Sequence, residues 1–284
     1  MLIVLEVERE SNNGIVKKIK SLFHPYEIKT KIKKQNKVSV LYIRYKAYRG
    51  EIRFKKIYEL AIGAPKTILC SKDIVLDNSP FKRFDNNEFN VVMMQNFICS
   101  ILKKADIPPE KLNIAYYDPM AENPLFAEKL LEYTSKLTVV SNMPKFYEKE
   151  SERIADSIGV PLLVSNSPER LSGCDIVVCP QKIDMHLPVS ENTIVFTSSK
   201  PAVSLKSAAI YEYFPEFPYK YKRLKSRNTD DVYFLSALYS LCGVKELSRL
   251  IPLKGGDGNV MFTSDRLVHR LKSLKADDEL MKII

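Results

Sequence analysis

The chain has 284 residues, 45% of them hydrophobic and 27% charged, a composition typical of one large or two ordinary globular domains and not of a disordered or fibrous protein. No apolar run approaches the roughly 20 residues that span a bilayer, and the opening residues lack the features of a signal peptide. We therefore expect a cytoplasmic protein without a membrane segment. The formal net charge of +10 is unevenly placed, because residues 1–60 carry 15 Lys and Arg against 6 Glu.

The basic first segment predicts a small α+β domain. LIVLEVE is typical of a strand, and NNGIVKKIKSLFH suits a helix with apolar residues on one side. Residues 26–60 then alternate between apolar and basic side chains with a period of two, as in an antiparallel meander. We expect one face of this sheet to pack on the core and the other to face solvent.

Basic side chains of this meander, interleaved with tyrosines, are candidates for binding a polyanion or nucleic acid, because cations hold phosphates and aromatic rings stack on bases. The candidate residues are Lys29, Lys31, Lys33, Arg44, Lys46, Arg49 and Arg53. The later stretch YKYKRLKSR (219–227) repeats this chemistry. The alternative is that lysines keep a sheet edge soluble and unpaired, and no known nucleic-acid-binding motif is present.

Residues 85–107 predict a buried helix, because apolar side chains follow one another on almost every turn. Asp85 and Glu88 have the spacing of a capping box at its start. The following stretch ADIPPEKL breaks the helix. We therefore predict two domains, residues 1–108 and residues 109–284.

From residue 112 five short apolar runs, rich in β-branched residues, alternate with helical patterns. The runs are LNIAYYD, LTVV, VPLLVS, DIVVCP and TIVFTS. Strands that barely alternate are typical of a parallel sheet covered on both faces, and connections this short imply right-handed crossovers. The fold class that we predict is α/β, with a Rossmann-like parallel-sheet domain preceded by a basic α+β domain that contains an antiparallel sheet.

Residues from about 104 to 198 resemble the NAD(P)-binding domain of shikimate dehydrogenases and glutamyl-tRNA reductases. The stretch that carries the resemblance is LTVVSNMPKFYEKESERIADSIGVPLLVSNSPERLSGCDIVVCPQ. The resemblance implies that Asn142 and Lys145, after the second strand, lie where the adenosine ribose or its phosphate is met. It also implies that Pro180 and Gln181, after the fourth strand, lie beside the cofactor.

The first turn of this domain departs from the family pattern. Dinucleotide-binding turns use glycines, so that backbone N–H groups approach the pyrophosphate at a helix N-terminus. This chain has YDPMAEN instead, in which Asp118, Met120 and Glu122 occupy that approach. We expect no dinucleotide in the standard pose and no cofactor, with NAD(P) as the alternative. We expect Asp118 to act as a local cap of the helix N-terminus after Asn123, although a smaller anion could also be attracted there.

Other candidate chemistry is sparse. Asp184 and His186 follow the fourth strand and could form an acid–base pair, although a solvated loop histidine is the simpler interpretation. The three histidines have no metal-ligand spacing, so we predict no metal site. The glycines of LKGGDGN (254–259) are explained by a tight turn or hairpin more simply than by a phosphate cradle. The five cysteines are expected to be free, buried and inert.

The sequence therefore favours a non-catalytic binding or regulatory role for a Rossmann-like domain with a degenerate cofactor loop. One alternative is an NAD(P)-dependent oxidoreductase resembling shikimate dehydrogenase. The other is a polyanion- or nucleic-acid-binding module that uses residues 1–60.

Overall fold

The computed structural model describes residues 1–9, 24–48, 51–61, 63, 65–85, 87–226 and 228–281. Two compact units are formed, Met1–Asn86 with Phe217–Leu247 and Asn87–Glu216 with Ser248–Ile284. This division differs from the single boundary predicted near residue 108. The helix predicted at 85–107 packs within the second unit, and the chain returns to the first unit at residue 217. The stretch ADIPPEKL indicates where the helix ends, but it does not indicate which of the two units the helix packs in.

The first unit contains one mixed sheet. Its described strands are β1 (Leu2–Arg9), β2 (Tyr26–Gln35), β3 (Val38–Ala47), β4 (Thr67–Cys70) and β5 (Lys82–Arg83). They are ordered β2-β3-β1-β4-β5, with β2 and β3 antiparallel and the other neighbours parallel. The expected antiparallel pairing is therefore confirmed for the hairpin β2–β3.

The predicted meander ends earlier than residue 60. Helix α1 (Phe54–Leu60) replaces the predicted last strand. Phe54, Ile57 and Ala61 are spaced three and four residues apart, and this spacing places them on one side of a helix. Ile57 and Ala61 are buried in the core of the unit. The predicted helix NNGIVKKIKSLFH lies largely outside the described residues.

Both faces of the first sheet are covered at its centre, which corrects the expectation of one solvated face. Ile3, Leu5 and Ile43 face the core that includes α1. The opposite face carries Tyr42, whose side chain is also buried. That face is covered by residues 217–226 and by helix α5 (Asp231–Leu241), which contacts β1. At the edge strand β2 the burial does not alternate, because Thr30 and Ile32 reach solvent as well as Lys29 and Lys31.

The second unit contains a parallel sheet, as predicted. Its strands are β6 (Asn113–Tyr117), β7 (Lys136–Val140), β8 (Leu163–Ser165), β9 (Ile176–Cys179), β10 (Ile194–Thr197) and β11 (Ala209–Ile210). Their order is β11-β10-β9-β6-β7-β8, and all described neighbours are parallel. Numbered from β6, this order reads 6-5-4-1-2-3, which is the strand order of the Rossmann fold.

Helices complete this unit. They are α2 (Glu88–Ala105), α3 (Pro124–Leu130), α4 (Pro144–Ile158) and α6 (Ser264–Met281). Helix α2 buries Phe89, Met93, Phe97 and Ile101 and packs against α6 and β10, which agrees with the predicted burial between layers. The predicted capping box is wrong, because α2 begins at Glu88 with Asn87 before it, and the Asn87 amide contacts Ser198 instead.

A small antiparallel sheet lies beside α2 in the same unit. It consists of β12 (Glu212–Pro215), β13 (Pro252–Gly256) and β14 (Met261–Thr263). Gly255 is required in β13, because a Cβ atom there would lie 2.6 Å from Ile210 Cγ2 and 2.8 Å from Phe97 Cε1. Within the described residues, no helix combines the length and apolar character needed to cross a bilayer.

Candidate functional site

The centre of the parallel sheet is the place where its strand order reverses, between β6 and β9. Ligands of open α/β sheets bind beyond the carboxyl ends of the strands at this point. Asp118 follows β6 directly, and Pro180 and Gln181 follow β9. The carboxyl ends of β6, β7 and β9 therefore define the candidate site of the second unit.

Asp118 is fully buried and its carboxylate accepts three hydrogen bonds. The backbone N–H of Glu122 donates to Oδ1 at 3.1 Å, and the N–H of Asn123 donates to Oδ2 at 2.9 Å. The Tyr147 hydroxyl also donates to Oδ2, at 2.7 Å. The carboxylate therefore occupies the position relative to the turn that an anionic ligand would take. Asp118 therefore caps the turn that precedes α3, whereas the helix itself has no side-chain cap at its N-terminus, so the expected cap of the helix by Asp118 is wrong.

The turn 118–123 is also tied to the end of β7. The Asn142 N–H donates to the carbonyl of Pro119 at 3.2 Å, and the Ser141 hydroxyl contacts the same carbonyl. Ala121 has a φ of +52°, in the left-handed region where glycine is favoured. Hydrogen bonds on both sides of Ala121 hold this backbone without a glycine.

Two tyrosines that support the turn were not identified from sequence as site residues. Tyr147 lies in α4, and its hydroxyl donates to Asp118 Oδ2. Tyr116 in β6 donates to the carbonyl of Asn123 at 2.8 Å. Burial, and then the interaction with Asp118, raise the pKa of each phenol above its ordinary value. Both therefore stay neutral donors. The available signal was the residue type itself, since a buried tyrosine hydroxyl needs a partner.

The β9 side of the site is also held by internal hydrogen bonds. The Pro180 carbonyl accepts from the Ser198 hydroxyl, and the Gln181 carbonyl accepts from Thr197 Oγ1 at 3.0 Å. The Gln181 side-chain Nε2 is buried and, among the described residues, has no hydrogen-bond partner. Burial raises the pKa of the neighbouring Cys179 thiol to about 12, so this cysteine is a neutral, inert group.

The residues of this edge do not fit a dinucleotide in the standard pose. The N–H groups of Glu122 and Asn123, at the end of the turn after β6, are already bound to Asp118. Pro119 and Pro124 have no N–H to offer. Gln181 after β9 has a buried side-chain amide without a partner among the described residues, but a single donor does not replace a cradle of backbone amides.

The remaining predicted residues of the site are on the surface. Asn142 and Lys145 are exposed at the start of α4, at the edge where the resemblance places an adenosine ribose. Asp184 and His186 are exposed in the segment after β9. In the described part of the chain, no hydrogen bond joins Asp184 to His186. Their roles stay predictions.

Two other predictions concern glycines and metals. Gly255 and Gly256 lie in β13, and Gly258 has a φ of +85° in the turn before β14, so the hairpin interpretation of LKGGDGN is confirmed. Asp257 Oδ1 accepts from the N–H groups of Asn259 and Val260 and closes this turn. Among the described residues, no group of three or more His, Cys, Asp or Glu is arranged to hold a metal ion.

The basic residues predicted to bind a polyanion differ in their partners within the chain. Lys29 pairs with Glu27 at 2.9 Å, and Arg44 pairs with Glu6 at 3.2 Å. Arg53 lies over the Tyr26 ring at 5.2 Å from its centroid. The remaining members differ in setting: Lys31 is exposed, Lys33 is half-buried, Lys46 lies over the Tyr48 ring, and Arg49 lies outside the described residues.

No protein-family model matches the chain, and no curated protein sequence matches it. A probable ornithine cyclodeaminase from Bordetella pertussis Tohama I is 18% identical over 36% of this chain and 35% of that chain, with a TM-score of 0.27. This chain thus spans about a third of that protein's length.

Two dehydrogenase structures are also similar. Quinate dehydrogenase from Corynebacterium glutamicum in complex with NAD is 10% identical over 69% of this chain and 79% of that chain, with a TM-score of 0.30. An archaeal alanine dehydrogenase dimer with bound NAD is 11% identical over 64% of this chain and 60% of that chain, with a TM-score of 0.28. The resemblance to NAD(P)-binding Rossmann domains is confirmed as a fold, and the strand order establishes it.

Proposed function

We propose that the Rossmann-like unit has a non-catalytic binding or regulatory role and does not hold a dinucleotide in the standard pose. The observation that carries this proposal is the Asp118 carboxylate, which accepts the N–H groups of Glu122 and Asn123. In dinucleotide-binding domains the corresponding amides are free to meet the pyrophosphate.

The energetics support this proposal. A pyrophosphate at the turn would displace the carboxylate from three hydrogen bonds, one of them from the buried Tyr147. If the carboxylate stayed in place, two like charges 4 Å apart would repel by about 4 kcal/mol at the effective dielectric of a protein surface. Each alternative is a large fraction of the roughly 8 kcal/mol that corresponds to micromolar affinity.

The apolar character of this edge favours binding a macromolecule over binding a charged cofactor. Met120, Leu125, Met143 and Phe146 are exposed on the turns after β6 and β7 and on the helices that follow. The hydrogen bond from Asn142 to Pro119 holds these two turns together. Exposed apolar patches, and methionines in particular, are common on protein-binding surfaces.

An NAD(P)-dependent oxidoreductase is the second candidate, and the strand order favours it, because ligands of this fold bind where the order reverses. Asn142 and Lys145 would then meet the adenosine ribose or its phosphate, and the buried Gln181 amide would gain a partner. Asp118 would have to leave the turn amides.

Calorimetric titration and thermal unfolding with NAD⁺, NADH, NADP⁺ and NADPH separate the two candidates. The proposal predicts no saturable heat and no stabilisation at millimolar concentrations. The oxidoreductase candidate predicts about 2.7 kcal/mol of stabilisation at 100 times the dissociation constant. It also predicts that Lys145→Ala weakens binding, whereas Lys149→Ala, an equally exposed position of the same helix, leaves binding unchanged. Such a pattern would refute the non-catalytic proposal.

A further inference from the structure

The first unit contains a second basic segment that the fold brings beside the hairpin β2–β3. Residues 217–226 are anchored by two inward side chains, Tyr221 and Leu224, which are buried. The Tyr221 hydroxyl binds Glu246, and the carbonyl of Leu224 accepts from the Tyr42 hydroxyl. The segment therefore has a fixed position on the sheet.

Two further contacts align this segment with the end of the hairpin. Lys33 Nζ donates to the carbonyl of Lys225 at 2.8 Å. Asn36, in the turn between β2 and β3, donates from Nδ2 to the carbonyl of Lys220 at 3.5 Å. Residues 220–225 therefore run beside the tip of the hairpin. Two basic stretches that are separated by more than 180 residues in the chain share one part of the unit.

The cations of this region outnumber the carboxylates that could neutralise them. Lys31, Lys37, Lys222 and Arg223 are exposed. Burial, and then the neighbouring Lys31 ammonium, lower the pKa of Lys33, as expected where positive charges crowd together. The nearby carboxylates are engaged by other groups.

These carboxylates have identified partners within the first unit. Glu246 pairs with Lys220 at 2.6 Å, and Asp231 pairs with Lys225. Glu6 accepts from the Ser226 hydroxyl as well as from Arg44. Lys222 and Arg223 are exposed, so an external anion that binds them would disrupt fewer internal contacts than one that binds Lys220 or Lys225.

An exposed aromatic ring lies within this basic segment. Tyr219 is 84% exposed, in contrast to Tyr221, which is buried two residues later in the same short 3-10 helix. Lys220 follows Tyr219 directly, and Lys222 and Arg223 are within four residues. A planar ring among cations is the combination that binds unpaired bases and their phosphates together. A ring is not needed to keep a sheet edge soluble.

We propose that this surface, formed by Lys31, Lys37, Tyr219, Lys222 and Arg223, binds single-stranded nucleic acid. The cations contact successive phosphates, and a base stacks on the Tyr219 ring. The surface differs from the set predicted from sequence. It excludes Lys29, Lys33 and Arg44, which have partners within the chain, and gains Lys37 and three residues of the 219–227 segment. It lies in the first unit and is independent of the role proposed for the second.

Fluorescence anisotropy of the full chain with a labelled single-stranded 20-nucleotide RNA tests this inference. Tyr219→Ala is expected to weaken binding about 5- to 150-fold, the range for the loss of one stacked base, whereas Tyr219→Phe keeps the ring and the affinity. The double variant Lys222→Gln with Arg223→Gln should reduce the slope of log affinity against log salt by about 1.4, because each single-strand phosphate contact contributes about 0.7.

The matched control is Lys149→Gln with Lys206→Gln, which removes the same charge from exposed positions of the second unit. It should leave the salt slope unchanged. Heparin, which has anionic groups but no bases, should respond to the charge variants and not to Tyr219→Ala. The inference would be overturned if the control variant lost as much RNA affinity as the Lys222→Gln, Arg223→Gln variant. It would also be overturned if Tyr219→Ala bound RNA as tightly as the wild type. So would binding to double-stranded DNA as strong as to RNA, or no RNA binding at low salt.

Discussion

Removal of the Asp118 carboxylate is the sharpest perturbation of the turn after β6. Asp118→Ala deletes three hydrogen bonds, of 3.1, 2.9 and 2.7 Å. The Tyr147 hydroxyl is buried, so leaving it unpaired costs about 1–3 kcal/mol. Water can reach the amides of Glu122 and Asn123, which are on partly exposed residues, so each of these losses costs about 1 kcal/mol. We expect Asp118→Ala to lower the free energy of unfolding by about 3–5 kcal/mol.

Two milder variants divide this loss. Asp118→Asn keeps one acceptor oxygen and should lower the free energy of unfolding by about 1–3 kcal/mol, because one amide then faces an NH₂ group. Tyr147→Phe removes a single hydrogen bond to a charged group and should cost about 1–2 kcal/mol. Asp118→Ala removes three hydrogen bonds and each of the other two variants removes one, so Asp118→Ala should be the most destabilising of the three.

Urea denaturation followed by circular dichroism measures the losses, and amide hydrogen exchange locates them. In Asp118→Ala the amides of Glu122 and Asn123 should exchange faster than in the wild type, whereas in Tyr147→Phe they should keep their protection. An Asp118→Ala protein within about 0.5 kcal/mol of the wild type, with both amides still protected, would refute the idea that the carboxylate holds the turn.

Three further predictions concern pH, thiols and a glycine. The pKa of Tyr147 is raised in the folded chain, so the stability that its hydroxyl contributes is complete below about pH 10 and is lost as the pH rises further. Urea denaturation should therefore show the wild type losing about 1.4 kcal/mol of its stability advantage over Tyr147→Phe between pH 9 and pH 11. An advantage that stays constant over this interval would contradict the neutral hydroxyl donor. Burial raises the pKa of Cys179 to about 12, so at pH 8 only about one in ten thousand of its thiols is ionised. Labelling of Cys179 by a thiol reagent, followed by mass spectrometry, should be at least a hundredfold slower in the native chain than in the urea-unfolded chain. Equal labelling rates would refute the burial of Cys179. Gly255→Ala should lower the thermal midpoint, because its Cβ would clash with Phe97 and Ile210, and an unchanged midpoint would argue against this packing.

The parallel sheet could be predicted from sequence because its strands are continuous apolar runs, a pattern that depends on burial and not on partners. A local role of the Asp118 carboxylate was also predictable, since the amides it binds are four and five residues away, but it caps the turn and not the helix as expected. Tyr147 lies 29 residues from Asp118, and no local pattern links them. Its role required the three-dimensional placement of α4 beside the turn.

The first unit was less predictable because its interactions are long-range. The lysines of β2 alternate as expected, but the segment that covers their sheet comes from residues 217–226, which have no sequence signal for that position. Residues 54–60 were predicted as a strand, although the spacing of Phe54 and Ile57 also fits a helix. In a segment this short, both periods are compatible with two or three apolar residues, and packing decides between them.

The measurement that tests the central claim most directly is an NMR titration of the ¹⁵N-labelled chain with NADH, following the backbone amides of Glu122 and Asn123. Because both N–H groups are bound to the Asp118 carboxylate, their resonances should not move at millimolar NADH, and their exchange protection should be unchanged. A saturable shift of both resonances, with loss of the hydrogen bonds to Asp118, would show that a pyrophosphate replaces the carboxylate and would contradict the account.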